Sequence, residues 1–182
     1  MQSKLSIVIL NWNGRKFLER FLPSVVLFSP QADVIIADNA STDDSIKFVE
    51  ENYPQIKVLR LDRNYGFAGG YNRALAHLGP YRYAVLLNSD VEPAALWLEP
   101  LIDCMEKNRD VAVCSPKLLC LNSRSKFEYA GASGGYIDMF GYPFCRGRIL
   151  NVLEQDNGQY DDSRDVFWVS GAAMCLRVDH FL

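Results

Sequence analysis

No stretch of this chain stays apolar for long. The longest uninterrupted runs, such as Tyr83–Leu87 and Ala172–Leu176, are about five residues, against the ~20 that a membrane-spanning helix needs. Leu5–Leu10 is too short for a signal-peptide core, and Asn11-Trp-Asn-Gly14 stands where a small-residue cleavage site would follow. Basic blocks are missing too: Lys plus Arg number 19 against 22 Asp plus Glu, a net charge of −3, with a pI near 5.4. That balance excludes nucleic acid as the main partner, because a phosphate backbone is bound through clustered Lys and Arg. The five cysteines are odd in number and never spaced Cys-x-x-Cys, which excludes a disulfide framework and the common zinc spacings. They read as buried reduced thiols, and therefore as a cytoplasmic protein. Histidine is scarce; His77 reads as structural and His180 sits beside the terminus. Neither G-x-G-x-x-G nor G-x-x-x-x-G-K-[ST] occurs, so dinucleotide dehydrogenases and P-loop enzymes are disfavoured.

What is present is an ordinary globular composition, 49% hydrophobic and 23% charged. A chain of 182 residues suits one domain at ~100–200 residues each. Short β-rich runs alternate with amphipathic helical patterns. Leu5–Leu10, Val34–Ala37, Lys57–Leu61, Tyr83–Leu87 and Val111–Ser115 read as strands. Between them lie four helices. The first carries Phe17, Leu18, Phe21, Leu22, Val25 and Val26 on one face, and Pro23 should kink or end it. The second opens at Ser41 and Thr42 with Asp43 and Asp44 behind them. The third runs over Gly69–Leu78 and the fourth over Ala94–Asn108. Such alternation indicates βαβ units and a mostly parallel sheet. After Pro116 the rhythm breaks. Ser133–Gly147 is rich in glycine and aromatics, Glu154–Asp165 reads as an exposed or mobile loop, and Val166–Val169 and Ala172–Arg177 read as strands. The expected organisation is one domain over 1–182, with a βαβ half over 1–115 that holds the nucleotide and a 116–182 half on the acceptor side.

Ligands of open parallel sheets bind beyond the carboxyl ends of the strands, and those ends are polar here. The first strand runs into Asn11 and Asn13, the second into Asp38 and Asn39, the third into Asp62 and Asn64, the fourth into Asn88 and Asp90. Asx residues also favour turns, but four such exits form a rim suited to a metal-bound or hydroxyl-rich ligand. Gly66-Phe-Ala-Gly69-Gly70 precedes a helix and either admits an anion to backbone amides or makes a tight turn. In extended chain Asn88 and Asp90, at i and i+2, would face one ligand together. A carboxylate and an amide oxygen are hard donors for Mg²⁺ or Mn²⁺ carried by a diphosphate; the alternative is an Asx-turn that ends the strand.

Taken in order, Ser6-Ile-Val-Ile-Leu-Asn-Trp-Asn-Gly14, Asp38-Asn-Ala-Ser-Thr-Asp-Asp-Ser45, Asn64-Tyr-Gly-Phe-Ala-Gly-Gly-Tyr-Asn72, Leu86-Leu-Asn-Ser-Asp-Val-Glu-Pro93 and Trp168-Val-Ser-Gly-Ala172 resemble the inverting family 2 glycosyltransferases, in particular their rhamnosyltransferase-like branch. The resemblance implies a GT-A α/β sandwich, a nucleotide-diphospho-sugar donor and a divalent cation, Mg²⁺ or Mn²⁺. It implies transfer of a hexose or deoxyhexose, such as rhamnose, to a saccharide or lipid-linked acceptor in bacterial cell-surface polysaccharide synthesis. It assigns Asp38 to the donor's base, Asn11, Asn64 and Gly66 to further nucleotide contacts, Asp90 with Asn88 to the metal, and Trp168 with Gly171 to the sugar and acceptor. Asn88 replaces the Asp that many relatives carry, and Trp168 has a buried core role as its alternative. Arg63, Asn72, Arg146 and Arg148 are further phosphate or sugar candidates. The competing readings are a nucleotide-sugar-binding module without turnover and a sugar-1-phosphate nucleotidyltransferase. The second would need an Arg- and Lys-bearing glycine turn where Asn11-Trp-Asn-Gly-Arg15 stands.

Val178–Leu182 reads as a helix just beginning, with Asp179 as N-cap. The resemblance implies an acidic motif after that helix. The general base is therefore expected beyond Leu182, in a longer transferase that docks at the inner face of the membrane, and the 182 residues alone are expected to bind nucleotide without transferring sugar.

Overall fold

The computed structural model describes residues 5–181. Four parallel strands, β1 (Leu5–Asn11), β2 (Asp33–Asp38), β3 (Lys57–Arg60) and β4 (Tyr83–Asn88), alternate with helices α1 (Arg15–Leu27), α2 (Ser45–Asn52) and α3 (Gly66–Ala76). Helix α4 (Leu98–Lys107) leads to the two-residue strand β5 (Val113–Cys114). Six short strands follow: β6 (Leu119–Cys120), β7 (Ser123–Phe127), β8 (Gly135–Ile137), β9 (Pro143–Cys145), β10 (Arg148–Ile149) and β11 (Val152–Leu153). Strand β12 (Ala173–Arg177) then returns to the main sheet and ends in a 3₁₀ turn, Val178–His180.

The main sheet has the order β3-β2-β1-β4-β12-β5, with β12 antiparallel to both neighbours. The expected α/β sandwich with a largely parallel sheet is thus what the chain builds. Alternation along each strand feeds two cores. Ile7, Ile9, Val85, Leu87 and Cys175 meet Leu18, Leu22 and Val25 of α1 and Leu98, Leu101 and Met105 of α4. Val8, Ala84, Leu86 and Leu176 meet Tyr71, Ala74 and Leu75 of α3 on the opposite face. Each fully buried Leu or Ile there contributes about 1.5–3 kcal/mol. Because β12 comes from beyond residue 116 and pairs with β4, the sheet does not divide at 115/116.

Several local expectations are corrected. Pro23 does not end α1, which runs on to Leu27; the proline is exposed, so water can reach the carbonyl that loses its N–H partner. Helix α2 starts at Ser45 rather than Ser41, because Ala40 turns the chain at φ +60° and Asp43 accepts from the Ser45 N–H. Helix α3 starts three residues earlier than expected. Helix α4 starts at Leu98, since Leu96 at φ +60° cannot be helical. Val166–Val169 is not a strand and makes one bridge, Trp168 to Gly135. Asp179 does not cap the last turn: Arg177 precedes that turn and Asp179 lies within it. Leu182 and everything assigned beyond it fall outside the described residues. The Glu154–Asp165 segment is largely exposed but anchored: Lys117 pairs with Asp156 at 2.6 Å and Asp161 at 2.5 Å, and Tyr160 packs on Phe127.

Candidate functional site

The chain leaves β1 toward β2 on one side and reaches β4 on the other, so the strand order reverses between β1 and β4. Open α/β sheets leave a crevice outside the carboxyl ends at such a point. Here the crevice has two communicating parts. A recess of ≈ 470 Å³ is lined by Leu10, Trp12, Asn39, Asn64, Gly66 and Ser89, among others. A cleft of ≈ 730 Å³ extends from it between α1, the Val91–Trp97 segment, the Pro116–Arg124 hairpin and Ser170–Ala173. Phe17, Phe67, Asn88 and Asp90 line both parts.

The recess stands on a hydrogen-bonded floor. Asn11 is 1% exposed, and its Nδ2 donates to Asp38 Oδ1 at 3.2 Å, Ser41 Oγ at 3.0 Å and Ser45 Oγ at 2.9 Å. Asp38 Oδ2 accepts from the Ser41 N–H at 3.2 Å. Asn11 and Asp38 therefore lie beneath the recess, holding the Ala40–Ser45 turn, and do not line it. A Cβ on Gly14 would fall 2.4 Å from Asn11 Oδ1, so this position accepts only glycine without displacing the floor.

Asn39, placed on the polar rim by the sequence but given no role there, is a wall residue. It is 2% exposed; its Nδ2 donates to Asn64 Oδ1 at 2.9 Å and Gly66 O at 3.1 Å, and its Oδ1 accepts from the Tyr65 N–H at 2.9 Å. Asn64 Oδ1 also accepts from the Gly66 N–H at 2.8 Å. One side chain thus fixes the turn that starts α3, where Gly66 adopts φ +69°. Its place beside Asp38 at the exit of β2 was the available signal. Gly70 serves packing instead, since a Cβ there would lie 2.7 Å from Leu10 Cδ1.

Asn88 and Asp90 do face one space, though not by strand alternation. The strand stops at Asn88, and the Val91 N–H donates to Asn88 O at 3.3 Å, closing a turn over Ser89 and Asp90. Tyr71 supports the end of β4 through its hydroxyl, which donates to Leu87 O at 3.0 Å; burial, with the Asp90 charge as a lesser cause, pushes that phenol far above its ordinary range. Asp90 is exposed in the crevice, and among the described residues its carboxylate makes no hydrogen bond or ion pair. Of the other charges on the cleft wall, Arg124 pairs with Glu92 at 2.6 Å, and both Glu128 oxygens accept from the Ala130 and Gly131 N–H groups. Among the described residues no cluster of three or more His, Cys, Asp or Glu side chains could hold a metal ion by itself. Asp90 and Asn88 nevertheless fit a hard cation that draws its other ligands from water and phosphate oxygens, the usual environment of Mg²⁺.

Gly171 lines the larger cleft beside Phe67, with 3.2 Å available to a Cβ. Trp168 does not join it. Its indole sits against Gly135, where an added Cβ would lie 1.9 Å from Trp168 Cε2, and its Nε1 donates to Tyr136 O at 3.1 Å. Half-buried, it packs against a small separate core of Phe127, Ala132 and Cys145. Arg63 stacks on Tyr65, Arg146 pairs with Asp162 and Arg148 stacks on Tyr129; these arginines and Asn72 are absent from the walls of both parts. Asp138 caps the β8–β9 turn by accepting from the Phe140 and Tyr142 N–H groups. No helix among the described residues is long and apolar enough to cross a membrane.

Comparison with known proteins agrees with this architecture. Over its whole length the chain is 27% identical to an N-acetylglucosaminyl-diphospho-decaprenol L-rhamnosyltransferase of Mycobacterium tuberculosis, of which it spans 64%. It is 25% identical over 92% of its length to N-acetylgalactosaminyltransferase 6 of Drosophila melanogaster, spanning 28% of that protein. Among solved structures, S. aureus TarS 1-349 in complex with UDP-GlcNAc superposes with a TM-score of 0.57 at 22% identity, covering 66% of this chain and 36% of that one. The mannosyltransferase PcManGT from Pyrobaculum calidifontis, in complex with GDP-Man and Mn2+, superposes with a TM-score of 0.55 at 19% identity, covering 65% and 36%. These two likenesses speak to the fold. The model of glycosyl transferase family 2 matches residues 6–159, and the chain belongs to that family.

Proposed function

We propose that the chain forms the donor-binding part of an inverting glycosyltransferase that moves a hexose or deoxyhexose from a nucleotide-diphospho-sugar to a saccharide or lipid-linked acceptor. The observation that carries this reading is the Asp90 carboxylate, unpartnered among the described residues, beside Asn88, where the recess meets the larger cleft. Asn39 and Asn64 offer the recess polar contacts for a nucleoside, and Trp12, Phe17 and Phe67 offer apolar surface. Asn11 and Asp38 act as positioning residues for the floor. Asp90 and Asn88 would hold a Mg²⁺ or Mn²⁺ ion, which when bound neutralises the departing diphosphate. The larger cleft would take the sugar and acceptor, with Gly171 and Ser170 on its wall. The acceptor named for the mycobacterial relative, a diphospho-decaprenol glycolipid, supports a lipid-linked acceptor here.

Titration of the protein with UDP, dTDP and GDP sugars in the presence of Mn²⁺ tests the reading. Binding of one nucleotide class is expected, with hydrolysis slow or absent. A protein that binds none of these, or that binds nucleoside triphosphate with sugar 1-phosphate and releases pyrophosphate, would overturn it.

A further inference from the structure

The small sheet β11-β10-β9-β8 is an antiparallel meander, so its turns alternate between two ends. The Arg146-Gly147 turn lies at one end, where Gly147 packs against Phe127. The turns over 138–142 and over Leu150-Asn151 therefore share the opposite end, two strand spacings or ~10 Å apart. Register also sorts the two faces. Gly135, Cys145, Arg148 and Leu153 align across the sheet, and Cys145 is buried with Phe127 and Ala132. Tyr136, Phe144, Ile149 and Val152, each one residue nearer the shared end, take the outer face. An antiparallel sheet with one face solvated ordinarily carries polar residues there, yet this one exposes Phe144, Ile149 and Val152.

The shared end is more apolar still. Met139 is 89% exposed, Phe140 77% and Leu150 83%. Both tips are built. Asp138 accepts from the Phe140 and Tyr142 N–H groups, and Leu150 opens its two-residue turn at φ +52°, a conformation that Asn or Gly adopts at less cost. Leu150 is thus unfavourable twice over, by exposure and by backbone, and folding gives no reason for it. The charged residues of 133–153 are Asp138, Arg146 and Arg148. Asp138 is spent on its turn and Arg146 on Asp162. Arg148 donates to Leu150 O at 3.3 Å and stacks on Tyr129 at 4.5 Å, and among the described residues it has no carboxylate partner.

We propose that this end of the meander docks on an anionic lipid surface, with Met139, Phe140 and Leu150 entering the acyl boundary and Arg148 meeting the phosphates. Convex tips whose side chains stand clear of any pocket suit a fluid surface that closes around them. A protein partner is instead gripped through side chains seated in matched pockets. The cation beside the second tip complements a phosphate headgroup, and no free carboxylate in 133–153 opposes it. No residue of 133–153 lines either part of the crevice, so lipid docking and donor binding stand or fall separately. Docking would bring the chain to the surface in which a lipid-linked acceptor lies.

The test is co-sedimentation of the full chain with vesicles of phosphatidylglycerol and phosphatidylcholine, and with vesicles of phosphatidylcholine alone. The chain should sediment with the mixed vesicles and several-fold more weakly with the neutral ones. Leu150→Asn, which suits the turn, should melt no lower than the native chain and keep its nucleotide-sugar affinity. It should lose about tenfold in vesicle partition, the effect of withdrawing one leucine side chain from an apolar phase. Met139→Ser combined with Phe140→Ser should lose more. A native chain that stays in the supernatant would overturn the proposal, as would vesicle binding that these substitutions leave unchanged. Tip substitutions that instead dissolve a dimer seen by sedimentation velocity without vesicles would also overturn it, making a second copy the occupant. Vesicle binding without nucleotide-sugar binding would support this assignment and count against the donor reading.

Discussion

Asn39 is the side chain on which the shape of the nucleotide recess most depends, and two substitutions separate its roles. It makes three hydrogen bonds while only 2% exposed. Each intramolecular bond contributes a net ~1 kcal/mol, and a donor or acceptor left buried and unpaired costs ~1–3 kcal/mol. In Asn39→Ala, water can reach Asn64 and Gly66, which are exposed, but reaches the half-buried Tyr65 N–H less readily. Summed on those terms, the alanine variant should lose about 2 kcal/mol. At a urea slope of ~1–3 kcal/mol/M, that lowers the midpoint by roughly 1 M without changing the slope. Asn39→Asp preserves the volume and the acceptor for Tyr65, yet sets a carboxylate oxygen against Asn64 Oδ1 and Gly66 O, two acceptors. It should be at least as destabilised as the alanine variant at neutral pH and should bind nucleotide more weakly. An aspartate variant within ~0.5 kcal/mol of the native protein would refute the hydrogen-bond assignment, since a carboxylate cannot donate.

Gly14→Ala should destabilise by about 1–3 kcal/mol, as overpacked sites do, because the new methyl meets Asn11 Oδ1 at 2.4 Å; a thermal melt at native values would contradict that contact. Arg177 is 5% exposed and donates to Met105 O, Asn108 O, Val111 O and the Tyr83 hydroxyl. Arg177→Met should cost about 2–4 kcal/mol by stranding those acceptors, read by urea unfolding; a loss under ~1 kcal/mol would show that water replaces the guanidinium. Lys117 holds the Asp156 carboxyl below its usual range, so the anchoring of Glu154–Asp165 is fully present above the ordinary carboxylate pKa and is lost as pH falls through the lowered one. Amide exchange over this segment should accelerate selectively in that acid window, and at neutral pH in Lys117→Met; uniform exchange across the chain would refute the anchor.

The first 115 residues were legible because their pattern is local. Strands such as Ile7–Leu10 and Tyr83–Leu87 are continuous apolar runs, which only a sheet covered on both faces explains. The polar strand exits border the crevice, and Asn88, Asp90, Asn64, Gly66 and Gly171 line it. What escaped depends on contacts far apart in sequence. The floor made by Asn11, Asp38, Ser41 and Ser45 spans more than 25 residues, so the bracing of Asn11 and the Ser41 turn by Asp38 was not visible in the sequence. Trp168 looked like a wall aromatic because nothing local shows that Gly135 leaves room for its indole. The hairpins of Ser133–Leu153 have strands of two or three residues, too short for alternation to register. Helix starts were missed wherever a non-glycine residue adopts positive φ, as at Ala40 and Leu96.

The central claim is that Asp90 brings a divalent cation and a nucleotide diphosphate to the crevice between β1 and β4. Calorimetric titration of the tightest-binding nucleotide sugar, with and without Mn²⁺, in the native chain and in Asp90→Ala, tests it directly. The account predicts that Mn²⁺ raises affinity at least tenfold in the native chain, about 1.4 kcal/mol, and leaves Asp90→Ala unchanged while its thermal melt stays native. Metal enhancement of equal size in Asp90→Ala would contradict the account, because the ion would then be held by the diphosphate or by residues elsewhere.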